Sequence, residues 1–150
     1  MSIEREAKNG KLQVNQVHRG WERIKVQVDS GAIDTVAPPD VAKAFSTMET
    51  RMSEAGVGVV AAKGSRIENF GEKHLVGYTD EGDAVGMRMT VADARKVLGS
   101  VRKMNMGGNK VVLDGPRSYM QSCSGKRAKI HYGGGQFFLH LTAERSPAMI

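Results

Sequence analysis

Ile24-Lys25-Val26-Gln27-Val28-Asp29-Ser30-Gly31-Ala32-Ile33-Asp34-Thr35-Val36 is the stretch on which the fold turns. Ile24, Val26 and Val28 alternate with polar residues, the period-two mark of a half-buried strand. That strand runs into Asp29-Ser30-Gly31, which turns the backbone sharply. A second apolar stretch follows from Ala32 to Ala37, closed by Pro38-Pro39. A carboxylate at a strand end, before a small hydroxyl residue and a glycine, is held rigidly and close to other backbone. It suits acid–base chemistry if a second carboxylate faces it, because two carboxyls sharing a site hold one proton between them.

The residues around this stretch favour short strands and turns. The 150-residue chain has 18 glycines and only 5% aromatics, the size of one domain with a real hydrophobic core. Cys123 is the single cysteine and has no intramolecular disulfide partner. No run approaches membrane-spanning length, and Met1–Gly10 is polar, unlike a signal peptide. The expectation is an intracellular, cytoplasmic domain without membrane association.

Upstream, residues 1–10 read as a lead. Leu12, Val14 and Val17 form a strand pattern, and His18-Arg19-Gly20 a hairpin turn into Trp21, which is read as packing. Downstream, Asp40 is placed to cap a short helix through Val41, Ala42, Ala44 and Phe45. Residues 46–56 read as a surface loop or a marginal helix. Val57–Ala62 is a strand candidate. Leu75–Tyr78 and Ala84–Val91 pair across the turn sequence Thr79-Asp80-Glu81-Gly82-Asp83.

Four short motifs, in order, give the chain a resemblance. Asp29-Ser30-Gly31-Ala32, continued by Ile33-Asp34-Thr35-Val36, resembles the Asp-Thr/Ser-Gly-Ala signature of retropepsins, the aspartic proteases of retroviruses and retrotransposons. Ala61-Ala62-Lys63-Gly64-Ser65-Arg66-Ile67-Glu68-Asn69-Phe70-Gly71 is similar to a stretch of copia-type retrotransposon polyproteins, with Lys63 where Asn is usual. Leu98-Gly99-Ser100-Val101 resembles the copia-type Leu-Leu-Ser-Val, with Gly99 in the second position. Asn109-Lys110-Val111-Val112-Leu113-Asp114 resembles the Gly-x-x-Val-Val-Phe-Asp strand. The likeness runs from about Trp21 to Leu141.

The resemblance implies a mostly β fold, a retropepsin-like closed barrel or sandwich, with one short helix in the C-terminal half near Leu98–Met106. It implies a single domain with a protease-like core over 11–114, further strands over 115–143 and a tail over 144–150. It implies an aspartic endopeptidase without a cofactor. No second Asp-Ser/Thr-Gly occurs, so activity requires a homodimer with Asp29 and its symmetry mate on the two-fold axis. Ser30 would cross-link the two turns and Gly31 allow close approach of their backbones. Substrate is an extended peptide, placed by this likeness against Ala32, Asp34, Lys63, Gly64 and Ser65. Asp34 and Val36 are read chiefly as support for the turn. Either hairpin, 57–70 or 75–91, is a candidate for the flap.

Charge offers a rival reading. The net charge is +6, and residues 95–130 carry nine basic side chains against one acid, Asp114. This run is either a solvated face or a nucleic-acid contact through Arg95, Lys96, Arg102, Lys103, Lys126 and Arg127. The alternative function is a non-catalytic, β-rich remnant that binds nucleic acid or merely dimerises. His18, His74, His131 and His140 are scattered along the chain, so a metal site is not expected.

Overall fold

The computed structural model describes residues 20–60, 64 and 66–144. The proposed Leu12–Val17 strand, the lead, residues 145–150 of the tail, Lys63 and Ser65 lie outside the described residues. In chain order the elements are β1 (Trp21–Asp29), β2 (Val36–Ala37), helix α1 (Arg51–Glu54), β3 (Val59–Val60), β4 (Arg66–Ile67), β5 (Asn69–Thr79), β6 (Ala84–Ala92) and β7 (Val97–Ser100). Helix α2 (Val101–Met106), β8 (Lys110–Val112), β9 (Tyr119–Gln121), β10 (Arg127–Lys129), β11 (His131–Gly133) and β12 (Gln136–Glu144) complete the chain. The mostly β expectation holds.

The main sheet runs β1-β7-β2-β6-β5-β12-β11, and β1 also pairs with β12, so six strands close into a ring. β1 and β12 pair antiparallel from Trp21↔Glu144 to Val28↔Phe137. β1 pairs parallel with β7, and β2 parallel with β6. Closure removes the exposed edges that an open sheet of this length would carry. The period-two pattern works as read. Ile24, Val26 and Val28 point inward with Leu75, Met89, Leu139 and Leu141, all buried. A second sheet, β10-β9-β8, packs Met120 and Ala128 against the same core.

The turn signals also held. Gly82 closes the β5–β6 turn at φ +91°, and Gly125 the β9–β10 turn at φ +90°. Helix α2 lies where a helix was expected, although β7 extends through Ser100 before it begins. A four-residue helix, α1, adds to it in the first half, started by a capping box between Thr50 and Ser53.

One local expectation fails. Residues 41–45 form turns, not a helix, and Ala42 sits at φ 58°. Tertiary partners take the backbone groups that helix bonds would have used. Lys73 Nζ donates to the carbonyls of Pro39, Val41 and Ala42 at 3.2, 2.7 and 3.2 Å. The Glu22 carboxylate accepts the N–H groups of Ala42 and Lys43. Trp21 packs at the surface. It is 40% exposed, with its ring edge-on to Tyr78 at 6.3 Å.

Candidate active site

Asp29 ends β1, and the parallel register sets it beside Ser100, the last residue of β7. Its half-buried carboxylate accepts the Gly31 N–H on Oδ1 at 2.8 Å. Ser30 and Gly31 are exposed at the tip of the turn, and Ile33 beyond them is 71% exposed. The turn is fixed from behind. The fully buried Ser100 hydroxyl donates to the Ala32 carbonyl at 2.7 Å and the Ile33 carbonyl at 3.3 Å. The Ser100 N–H donates to Thr35 Oγ1 at 3.0 Å, and Thr35 is itself buried.

Ser100 holds helix α2 as well. Its oxygen accepts the Lys103 N–H at 3.2 Å, the N-cap bond of that helix. One hydroxyl thus ties the Asp29 turn to the start of α2. Lys103 Nζ reaches Asp34 at 3.2 Å, adding an exposed ion pair between the same two elements. Asp34 is therefore engaged by α2, and Val36 is buried in the sheet.

The Ala32–Ala37 stretch supplies only two strand residues, Val36 and Ala37. The reason is Ser100, whose side chain takes carbonyls that a longer strand would have given to a ladder. Gly99 shows why the chain departs from the resembled motif there. A Cβ at this buried position would lie 2.7 Å from Val26 Cγ1 and 2.9 Å from Met104 Cε. Val26 and Met104 fill the space a leucine would need.

The other site residues separate into two sets. Asp29, Ser30, Gly31, Ala32 and Asp34 are brought together on one turn. Gly64, at φ +85°, belongs to the β3–β4 hairpin, where Val59 pairs with Ile67 and Val60 with Arg66. The rival hairpin, β5–β6, is built into the wall of the ring by nine residue pairs from Asn69↔Ala92 to Tyr78↔Ala84. A cleft of about 400 Å³, lined by Lys25, Gln27, Lys96, Gln136 and Phe138 among others, opens elsewhere and does not include Asp29.

Folding gathers residues that look unrelated in sequence. His131 and His140 are not scattered but stacked, with ring centroids 4.4 Å apart. Ring nitrogens of both and an Asp80 oxygen lie within 4.8 Å of one another. Arg23 already engages this group. It meets both Asp80 oxygens at 2.7 and 3.0 Å and His140 Nδ1 at 3.1 Å. Stacked rings also aim their lone pairs along near-parallel planes rather than at one point, so the cluster as arranged is a charge network rather than a chelate. Burial, with Arg23 and His131 close by, pushes His140 below the usual histidine range, against the opposing pull of Asp80. Burial works to raise Asp80, but the Arg23 hydrogen bond and charge outweigh it and hold the carboxyl below its ordinary value.

Among the described residues no helix is long and apolar enough to cross a membrane. No protein-family model matches the chain, and neither a curated protein nor a solved structure matches it.

Proposed function

We propose that the chain is an aspartic endopeptidase of the retropepsin type, active as a homodimer in which two Asp29 carboxyls share one proton. The observation that carries this reading is the Asp29 turn, where a half-exposed carboxylate stands on backbone anchored by buried hydroxyls. The turn holds the carboxylate still, and among the described residues no ion pair engages it. That is half of a dyad. The exposed Ile33 beside it supplies apolar surface for a partner subunit.

In the proposed reaction the ionised Asp29 takes a proton from water, and the water oxygen attacks the scissile carbonyl. The protonated partner donates a hydrogen bond to that carbonyl oxygen, and the proton finally passes to the leaving amine. Extended substrate pairs its backbone beneath the flap as an added strand. Paired carboxyls titrate in two separated steps, so the rate is bell-shaped with an optimum at about pH 4–6.5.

The test is cleavage of a mixed peptide library across pH, run over a dilution series with wild type and Asp29→Asn. Cleavage that vanishes in Asp29→Asn, and whose specific activity falls on dilution, supports the dimeric dyad. Concentration-independent cleavage, or an optimum above pH 8, would falsify it.

A further inference from the structure

The nine cations between residues 95 and 130 are not equivalent in the folded chain. Lys103, Arg117 and Lys126 are ion-paired with Asp34, Asp114 and Asp83 at 3.2, 3.2 and 3.4 Å. The other six, Arg95, Lys96, Arg102, Lys110, Arg127 and Lys129, are different, and the last three of them lie on the small sheet. They are exposed, and among the described residues no carboxylate lies within ion-pair distance of their side chains.

Register places these three on one face of the small sheet. Lys110, Gln121 and Arg127 form one row across β8, β9 and β10, and Val112, Tyr119 and Lys129 form the next. The opposite face, with Met120 and Ala128, is buried. Strand spacing puts the outer cations about 10 Å apart, with Tyr119 and Gln121 on the strand between them. The Arg127 guanidinium lies 3.9 Å over the Tyr119 ring, while its Nε donates to Gln121 Oε1 at 2.7 Å. Its two terminal nitrogens make no hydrogen bond among the described residues. Glu81 is the acid that reaches β10, and it accepts the Lys129 backbone N–H at 2.9 Å. Among the described residues the Lys129 ammonium touches only the Pro116 carbonyl, at 3.5 Å.

We infer that this face of β8–β10 binds single-stranded nucleic acid, with phosphates on Lys110, Arg127 and Lys129 and a base over the Arg127–Tyr119 pair. Cations on the outer strands with an aromatic ring and an amide between them match a strand of phosphates whose bases stack and hydrogen-bond. An acidic polypeptide would use the cations but not the planar stack, and so fits the face less well. The inference does not rest on the peptidase reading, because it uses no residue of the Asp29 turn.

The experiment is fluorescence anisotropy with labelled 20-nucleotide oligo-dT and oligo-U between 50 and 200 mM NaCl. Three phosphate contacts predict a slope of log Kd against log salt of about 2, or a roughly 16-fold weakening over that range. The variant Lys110→Gln/Arg127→Gln/Lys129→Gln is expected to lose at least about tenfold in affinity. The charge-matched control Arg117→Gln/Lys103→Gln/Lys126→Gln removes three cations that are already paired, and should lose far less. Tyr119→Leu, which keeps a strand-forming side chain, should cost about fivefold or more through lost stacking. Thermal unfolding checks each fold, and the single exposed change Lys110→Gln serves if a triple variant unfolds. Asp29→Asn should bind as wild type. Equal losses in the two triple variants would show that affinity follows net charge alone and overturn the site. So would absence of binding at 50 mM salt, or displacement by polyglutamate as effective as by unlabelled oligonucleotide.

Discussion

Two excursions, at residues 29–35 after β1 and 38–45 after β2, leave opposite ends of the sheet, and contrasting chemistry holds them. The first is tied down from within by neutral groups, the Ser100 hydroxyl and N–H and the Thr35 hydroxyl, with the Lys103–Asp34 ion pair only at its exposed rim. The second is tied down by charge, the Lys73 ammonium beneath three carbonyls and the Glu22 carboxylate on two N–H groups. Lys73 is 3% exposed. Burial lowers its pKa, partly offset by Glu22 and Asp40. The contrast matters because charge near a carboxylate fixes its protonation, whereas hydroxyl anchors leave that to whatever approaches. Among the described residues no ionic partner engages Asp29, as the proposed sharing of a proton between two subunits would require.

The largest expected effect separates chemistry from anchoring. Asn at position 29 keeps an oxygen able to accept the Gly31 N–H, so Asp29→Asn should leave stability within about 0.5 kcal/mol of wild type. Peptide cleavage should fall by about 10³-fold or more, since the acid–base group itself is gone. Chemical denaturation and initial rates measure the two quantities independently. A variant that loses both together would mean that Asp29 is a structural residue of its turn.

Breaking the charged anchor should do the reverse. Lys73→Met keeps the aliphatic length but strands three carbonyls in the interior, and is expected to cost about 2–4 kcal/mol in denaturant unfolding. Cleavage per folded molecule should change little. A stability loss below about 1 kcal/mol would show that water replaces the ammonium, and the 38–45 region would then be less buried than described.

These two regions also mark what could be read from the residues alone. The Asp29 turn was legible because local signals agree there: alternation in Ile24–Val28, the Asp-Ser-Gly turn, and the Leu98–Val101 motif leading to α2. Residues 41–45 carry a helix pattern yet form turns, because their partners Glu22 and Lys73 lie far away in sequence. Lysine within an alternating strand reads as solvent-facing, and no local pattern announces that Lys73 points inward. His131 and His140 looked scattered for the same reason, since only the β11–β12 pairing, with Asp80 at the end of β5, assembles them. Gly99 carried a signal after all, as a departure from the resembled motif explained by Val26 and Met104 packing against it.

Removing the neutral anchor should have an intermediate effect. Ser100→Ala deletes the bonds to Ala32 and Ile33 and the cap of α2, for an expected loss of about 1–3 kcal/mol. Amide hydrogen exchange should quicken at residues 29–35 and in α2 together, because one hydroxyl serves both. Faster exchange in α2 alone would show that the turn is held chiefly by Thr35.

Acid offers the gentlest test, since it titrates charged anchors without touching neutral ones. Arg23 has no acceptor atom, so at the Arg23–His140 contact His140 Nδ1 must accept, and the ring is neutral there. Protonation places an N–H against the guanidinium, beside the stacked His131 and near Lys25, with Asp80 alone opposing. His140 has a folded pKa below its unfolded value, so the unfolded chain binds more protons. Its stabilising contribution is complete above about pH 6.5 and is lost as pH falls through the folded value. Asp80, also lowered, keeps its contribution above its ordinary carboxylate value and loses it in more acid solution. Both groups are partly exposed, Asp80 at 40% and His140 at 24%, so solvent screening keeps the effect small. On acidification, hydrogen exchange should rise first around residues 80, 131 and 140 while the 29–35 turn stays protected. In His140→Gln, whose amide oxygen accepts from Arg23 at any pH, the first of these losses should disappear. Loss of protection at 29–35 over the same pH range would mean that the two kinds of anchor are coupled, and that the proposed acidic optimum lies where the site itself is loosening.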